Sequence, residues 1–213
     1  MTTTALRIDG LYKPRPCTVE LVDVPGLAFV AVPGQGAPEG QAFAEAVQVL
    51  YAVSYGAHFQ LRKAFGAAPR VMPLEALWWV AEDERAVVEA VTRGEVTMAD
   101  TDRERWRWRA MIMQPEPIDA GVAAEAVARA RSKKELPALD RLTFDTWEEG
   151  RCAQLLHVGP YAAEAPSLRR LHEAIARAHL RPRGRHHEVY LGDPRRSAPQ
   201  HLRTILRQPV EPA

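Results

Sequence analysis

Cysteine is scarce in this chain: two residues in 213, Cys17 and Cys152. A multi-bridge framework is excluded, which leaves one disulfide between them or two free thiols. Both lie in apolar strand-like runs, so two buried free thiols in a reducing cytoplasm are expected. Charge of one sign is not in excess either, with 28 basic against 27 acidic residues and a net charge of +1. That excludes the basic footprint of a nucleic-acid module. No apolar run reaches the roughly 18 residues of a membrane span, and residues 1–10 lack the apolar core of a signal peptide. A cytoplasmic protein that binds neither nucleic acid nor membrane is expected.

Chemical signatures are missing too. His172 and His179 are seven apart and His186 and His187 are adjacent, so neither His-x-x-x-His nor Cys-x-x-Cys spacing occurs and no metal is expected. There is no Gly-x-Ser-x-Gly elbow for a nucleophilic serine. Gly34-Gln35-Gly36 lacks the rest of a phosphate-cradling loop. Cofactor-free chemistry, or none, is what remains.

What is present in unusual measure is tryptophan. Four of the five fall in two tight sets, Trp78-Trp79 and Trp106/Trp108. The hydrophobic fraction of 46% is enough for one substantial core or two small ones. Residues 1–16 read as a leader, with Lys13-Pro14-Arg15-Pro16 opposing regular structure. Residues 17–24 and 27–32 alternate as strands, turned at Pro25-Gly26. Pro38 opens a helix that Gly56 weakens or ends. Strands follow at 71–80 and 106–113, with a short helix at 82–93 between them, and an alanine-rich linker helix covers 118–134. The order then repeats: strands at 143–147 and 152–158 around a Glu149-Gly150 turn, a helix at 168–180, and strands at 187–191 and 202–208. Both halves thus read strand, strand, helix, strand, strand, which predicts a duplicated α+β fold, an antiparallel sheet with helices on one face, and a central cleft. The repeats span about 17–113 and 142–210 of a single domain, 17–213.

The candidate site residues follow from strand and helix periods. In His187-Glu188-Val189-Tyr190-Leu191, Glu188 and Tyr190 share a face, which sets a carboxylate beside a phenol before the Gly192-Asp193-Pro194 turn. Among aromatic faces Glu188 could accept a proton or meet an organic cation. The other reading is a solvated surface acid. Glu75, early in Pro73-Leu74-Glu75-Ala76-Leu77-Trp78-Trp79, is its counterpart in the first half. Trp78 and Trp79 must point to opposite faces. Trp106 and Trp108 share one face and offer a stacking platform, unless helices cover that face. Tyr51 and Tyr55 share a helical face. Tyr161, on the Gly159-Pro160 turn, is hard to explain as core.

Four stretches taken together resemble a known family: Leu50-Tyr51-Ala52-Val53-Ser54-Tyr55, the Glu75 to Trp79 strand, His157-Val158-Gly159-Pro160-Tyr161, and His187 to Pro194. In this order on a duplicated pattern they resemble the GyrI-like small-molecule-binding proteins, from about Cys17 to Val210. The resemblance implies an α+β fold of tandem duplicated strand-helix-strand-strand modules, in agreement with the repeat, and a central pocket for drug-like aromatic or cationic molecules. It matches the family's pocket glutamate to Glu188, and the tryptophan strand to Trp78 and Trp79. Some stand-alone relatives hydrolyse cyclopropane-bearing DNA-alkylating toxins. By that resemblance Glu188 would be the base and Tyr161 or Tyr55 the hydroxyl donor, with no cofactor, a small-molecule ligand as partner, and a monomer or homodimer. The alternative is a non-catalytic protein that binds or senses a cationic drug.

Overall fold

The computed structural model describes residues 8–80 and 102–213. In chain order the elements are β1 (Glu20–Gln35), α1 (Gln41–Phe65), β2 (Leu74–Trp79), β3 (Arg107–Met113), α2 (Ala120–Lys133), β4 (Thr143–Val158), α3 (Ala165–Arg177), β5 (Leu180–Pro182), β6 (His186–Tyr190) and β7 (Arg203–Pro212). Strand-helix-strand-strand thus occurs twice, α2 links the copies, and the second copy adds the three-residue β5. The strands form a seven-stranded antiparallel sheet in the order β4-β1-β3-β2-β6-β7-β5, with β4 also paired to β7. The expected helix at 82–93 lies outside the described residues.

Two expected turns are absent. Residues on either side of Pro25-Gly26 belong to the single strand β1, and those around Glu149-Gly150 to the single strand β4. The fixed φ of proline suits an extended chain, and Pro25 precedes the register with β3, which runs from Phe29↔Met113 to Gln35↔Arg107. Pro25 therefore takes no hydrogen bond from that ladder. Gly150 takes φ 73°, a local kink that glycine absorbs inside the strand.

The chain divides into two compact units. The α1 unit comprises residues 26–76 and 103–148. Phe43, Val49, Leu50 and Val53 of α1 are buried, as are Phe29 and Val30 of β1 and Trp108 and Ile112 of β3. Gly56 does not end α1. It lies on the side of α1 that meets α2, where a Cβ would touch the Ala126 Cβ at 3.4 Å, an ordinary contact distance. The helix ends at Gly66, whose left-handed backbone (φ 75°) and N–H to the Arg62 carbonyl cap it. Asp119 caps α2 by accepting from the Val122 N–H.

The α3 unit holds the described residues 8–25, 77–80, 102 and 149–213. Its core is Ala153 and Leu155 of β4, Leu171 and Ile175 of α3, Leu180 of β5, and Leu206 and Val210 of β7. α3 places two leucine-type positions, Leu171 and Ile175, four apart on its buried side. Cys17 departs from expectation: both thiols are free, but Cys17 is exposed and only Cys152 is buried. Pro14 and Pro16 keep Cys17 out of β1, in a turn with φ 55°. Among the described residues no helix is long and apolar enough to cross a membrane.

Candidate functional site

The α3 unit gathers several acids and aromatic rings around β6. Alternation along β6 buries His187 and Val189 completely and turns Glu188 and Tyr190 to the other face. The Tyr190 hydroxyl donates to Glu188 Oε2 at 2.7 Å and accepts from Trp78 Nε1 at 3.0 Å. This chain of donors fixes the carboxylate from one side. Burial, and after it the Glu188 carboxylate, push the Tyr190 phenol well above its ordinary value. The Tyr161 ring meets Tyr190 edge-on at 5.7 Å and is itself 40% exposed.

A second acid stands beside Glu188 that the sequence reading missed. Glu164 precedes α3 and is 7% exposed. Burial, and then the Glu188 charge, push its carboxyl up to about 9, while the Thr204 hydroxyl pulls the other way. Register explains Thr204, which lies directly across from Tyr190 in the β6–β7 ladder. Glu164 therefore keeps its proton at neutral pH, and its Oε1 finds no hydrogen-bond partner among the described residues. Glu164 looks like a surface acid in Tyr161-Ala162-Ala163-Glu164, and only the docking of α3 buries it. His186 Nε2 lies 3.4 Å from Glu188 Oε1. Burial and then His186 hold the nearby His172 down at about 4.

The other face of β6 carries a buried polar cluster. His187 Nδ1 bonds both carboxylate oxygens of Glu149 at 3.1 and 3.0 Å. Arg207 Nη1 donates to Glu149 Oε2 at 3.2 Å, and its Nη2 donates to Gln154 Oε1 and to the Leu11 carbonyl, each at 3.1 Å. Burial alone would raise Glu149, but His187 and Arg207 overcome it and bring the carboxyl to about 2. The cluster ties residue 11 of the expected leader to β7.

The remaining candidates are placed as follows. Trp79 lies on β2 with the Arg185 guanidinium 3.6 Å above its ring, a contact the sequence did not suggest. Trp108 is fully buried, packed edge-on against Phe43 of α1 at 5.1 Å. It lies over Gly34, its register partner, where a Cβ would come within 2.2 Å of the ring. The helix-covered reading therefore holds for Trp108, which offers no open stacking face. Trp106 is buried as well, with the Arg103 guanidinium 5.3 Å from its ring. Tyr51 stacks on Tyr55, and Tyr55 on Phe59, with 6.1 Å between centroids in each case. Glu75 is buried in β2. Tyr51, Tyr55, Glu75, Trp106 and Trp108 belong to the α1 unit, whereas Trp78, Trp79, Tyr161, Glu188 and Tyr190 belong to the α3 unit. Among the described residues no group of three or more His, Cys, Asp or Glu side chains converges to hold a metal ion.

This arrangement brings together a carboxyl group held by a phenol, a protonated acid beside it, and aromatic rings. Comparison with known proteins is consistent with a small-molecule site. The GyrI-like small molecule binding domain matches residues 18–211. An uncharacterized conserved protein from Listeria innocua is 32% identical, with a TM-score of 0.81, over 95% of this chain and 96% of that one. A hydrolase from Listeria innocua is 29% identical, with a TM-score of 0.77, over 96% of this chain and 98% of that one. The EcmrR C-terminal domain, 10% identical with a TM-score of 0.52 over 92% of this chain and 98% of that one, shares the fold alone. No curated protein matches at a significant level.

Proposed function

The chain belongs to the GyrI-like small-molecule-binding family, and we propose that it is a cofactor-free hydrolase that opens a strained ring, such as a conjugated cyclopropane, at the Glu188 site. The observation that carries this reading is the pairing of Glu188, held at 2.7 Å by the Tyr190 hydroxyl, with the protonated Glu164 beside it. A carboxyl that keeps its proton next to a second carboxyl is an arrangement suited to acid–base chemistry. Glu188 takes a proton from water as the water oxygen attacks the strained ring carbon. The ring bond breaks, and its electrons move onto the conjugated carbonyl. Glu164 donates to the oxygen where that charge collects. Tyr190 holds Glu188 in place, and Tyr161, from the edge of the cluster, is a second hydroxyl donor. Tyr55 as a donor, and Tyr51, Glu75, Trp106 and Trp108 as ligand contacts, carry less weight: nothing in the α1 unit sets them beside an acid–base pair. The 29% identical hydrolase supports the same class of reaction.

A second reading is binding without chemistry, with Glu188 as counter-charge to an organic cation. The Arg185 guanidinium over Trp79 favours it, since that indole face already accepts a cation. Glu188→Gln separates the two readings. Turnover of a cyclopropane-bearing substrate, followed by chromatography of the ring-opened product, should fall ~10²–10⁴-fold at saturation while binding persists. An unchanged saturating rate removes Glu188 from the base role. A wild-type protein that binds but yields no product leaves the second reading.

A further inference from the structure

At the end of β4, in the same register row as Thr204 and Tyr190, stands a histidine that the reaction above does not use. His157 lies on the β4 face that carries Leu155 and Ala153, and so points at α3. Its Nδ1 lies 3.0 Å from the Ser167 hydroxyl in the first turn of that helix, and its Nε2 lies 3.3 Å from the Pro160 carbonyl. A carbonyl can only accept, so Nε2 carries the ring proton. Nδ1 is then a free lone pair, and the Ser167 hydroxyl donates to it. The imidazole is a buried base aimed at a serine, with its tautomer fixed by a backbone oxygen in the role that a carboxylate plays in hydrolytic triads. Gly159 permits this packing. It takes φ 138°, and a Cβ there would press to 3.4 Å from His157 Nε2.

The serine opens onto a cavity. Ser167 is half-buried and lines a groove of about 370 Å³ together with His157, Pro160, Cys17 and Arg170. Arg170 Nη2 is anchored on the Cys17 carbonyl at 3.0 Å, which holds a cation at the wall of the same groove.

We propose that Ser167 and His157 form a second reactive site, a nucleophilic serine that is acylated by small carboxylic esters. Ser167 Oγ bonds to the ester carbonyl carbon as its proton passes to His157 Nδ1. The carbon–alkoxy bond breaks, and that proton leaves with the alcohol. Water then adds to the acyl-serine and gives a proton to Nδ1. The acid departs, and the proton returns to Ser167.

The test uses the full chain with p-nitrophenyl acetate and with an alkyl fluorophosphonate, read by p-nitrophenolate release and by intact mass with peptide mapping. A single phosphonyl adduct on the Ser167 peptide and a stoichiometric burst are expected. Ser167→Ala should lose both. His157→Gln, which keeps a hydrogen-bond acceptor for Ser167, should label ~10²–10⁴-fold more slowly with an unchanged melting temperature. Absence of an adduct at Ser167, an adduct on Cys17 in its place, or wild-type labelling by His157→Gln overturns the proposal.

Discussion

Replacing Glu164 with glutamine should make the protein more stable at neutral pH, and the gain should depend on pH. An ordinary glutamate titrates near 4.5, whereas Glu164 in the folded chain titrates at about 9. Between those values the folded chain holds a proton that the unfolded chain has released. Its folded value is raised, so the stability it allows is full below about 4.5 and drains away as pH rises towards 9. At pH 7 the cost is about 2.5 units at ~1.4 kcal/mol each, or between about 3 and 4 kcal/mol at most. About 2–3 kcal/mol is expected back from Glu164→Gln, which keeps the shape and removes the ionisable group. For a chain of this size that is roughly 2–4 °C in melting temperature per kcal/mol. Urea unfolding followed by tryptophan fluorescence at pH 4.5, 6, 7 and 8 should show coincident stabilities at the lowest pH and curves that diverge upward. Curves that stay parallel across the series would mean that Glu164 is ionised in the folded protein, and would refute the acid role given to it.

Other changes have equally definite outcomes. Gly34→Ala sets a methyl into the Trp108 ring and should cost ~1–3 kcal/mol in denaturant unfolding, although the backbone there needs no glycine conformation; a neutral result would show that the ring yields freely. Glu149, held near 2 by His187 and Arg207, contributes stability that is present above about 4.5 and lost as pH falls towards 2. Wild type should lose up to about 3 kcal/mol over that range. Glu149→Gln should show a flatter acid limb but unfold more easily at pH 7, by ~3–5 kcal/mol, because Arg207 is left buried without its charge partner; an unchanged acid limb would locate the loss elsewhere.

Much of the fold was legible because strand and helix periods are local. The alternation that sets Glu188 beside Tyr190 is a property of five consecutive residues, and the structure keeps it. The Gly-Pro-Tyr turn likewise brings Tyr161 to Tyr190. Punctuation misled where glycine and proline serve packing or kinks. Gly56 continues α1 on the side facing Ala126, Gly150 bends β4 without reversing it, and Pro25 sits comfortably in extended chain. Tryptophan was ambiguous for the same reason: period puts Trp106 and Trp108 on one face, but only the docking of α1 decides that the face is covered. Glu164 and the Glu149–His187–Arg207 cluster were illegible because their burial depends on partners 24 to 58 residues away, and a charged residue carries no local mark of being enclosed.

The uninterrupted passage of β1 and β4 through their glycines has a consequence for how the protein is made. Every residue of the α1 unit lies before residue 149, whereas the α3 unit takes its strands β5, β6 and β7 from the last part of the chain and also uses residues 8–25. On the ribosome the inserted unit is complete first, and the early residues must wait through most of synthesis for the strands they pack with. A unit closed by such distant segments folds late and slowly. Proteolysis of ribosome-arrested chains should find residues 26–76 and 103–148 protected while residues 8–25 are still cleaved. Protection of both at the same chain length would show that the early segment has found another shelter.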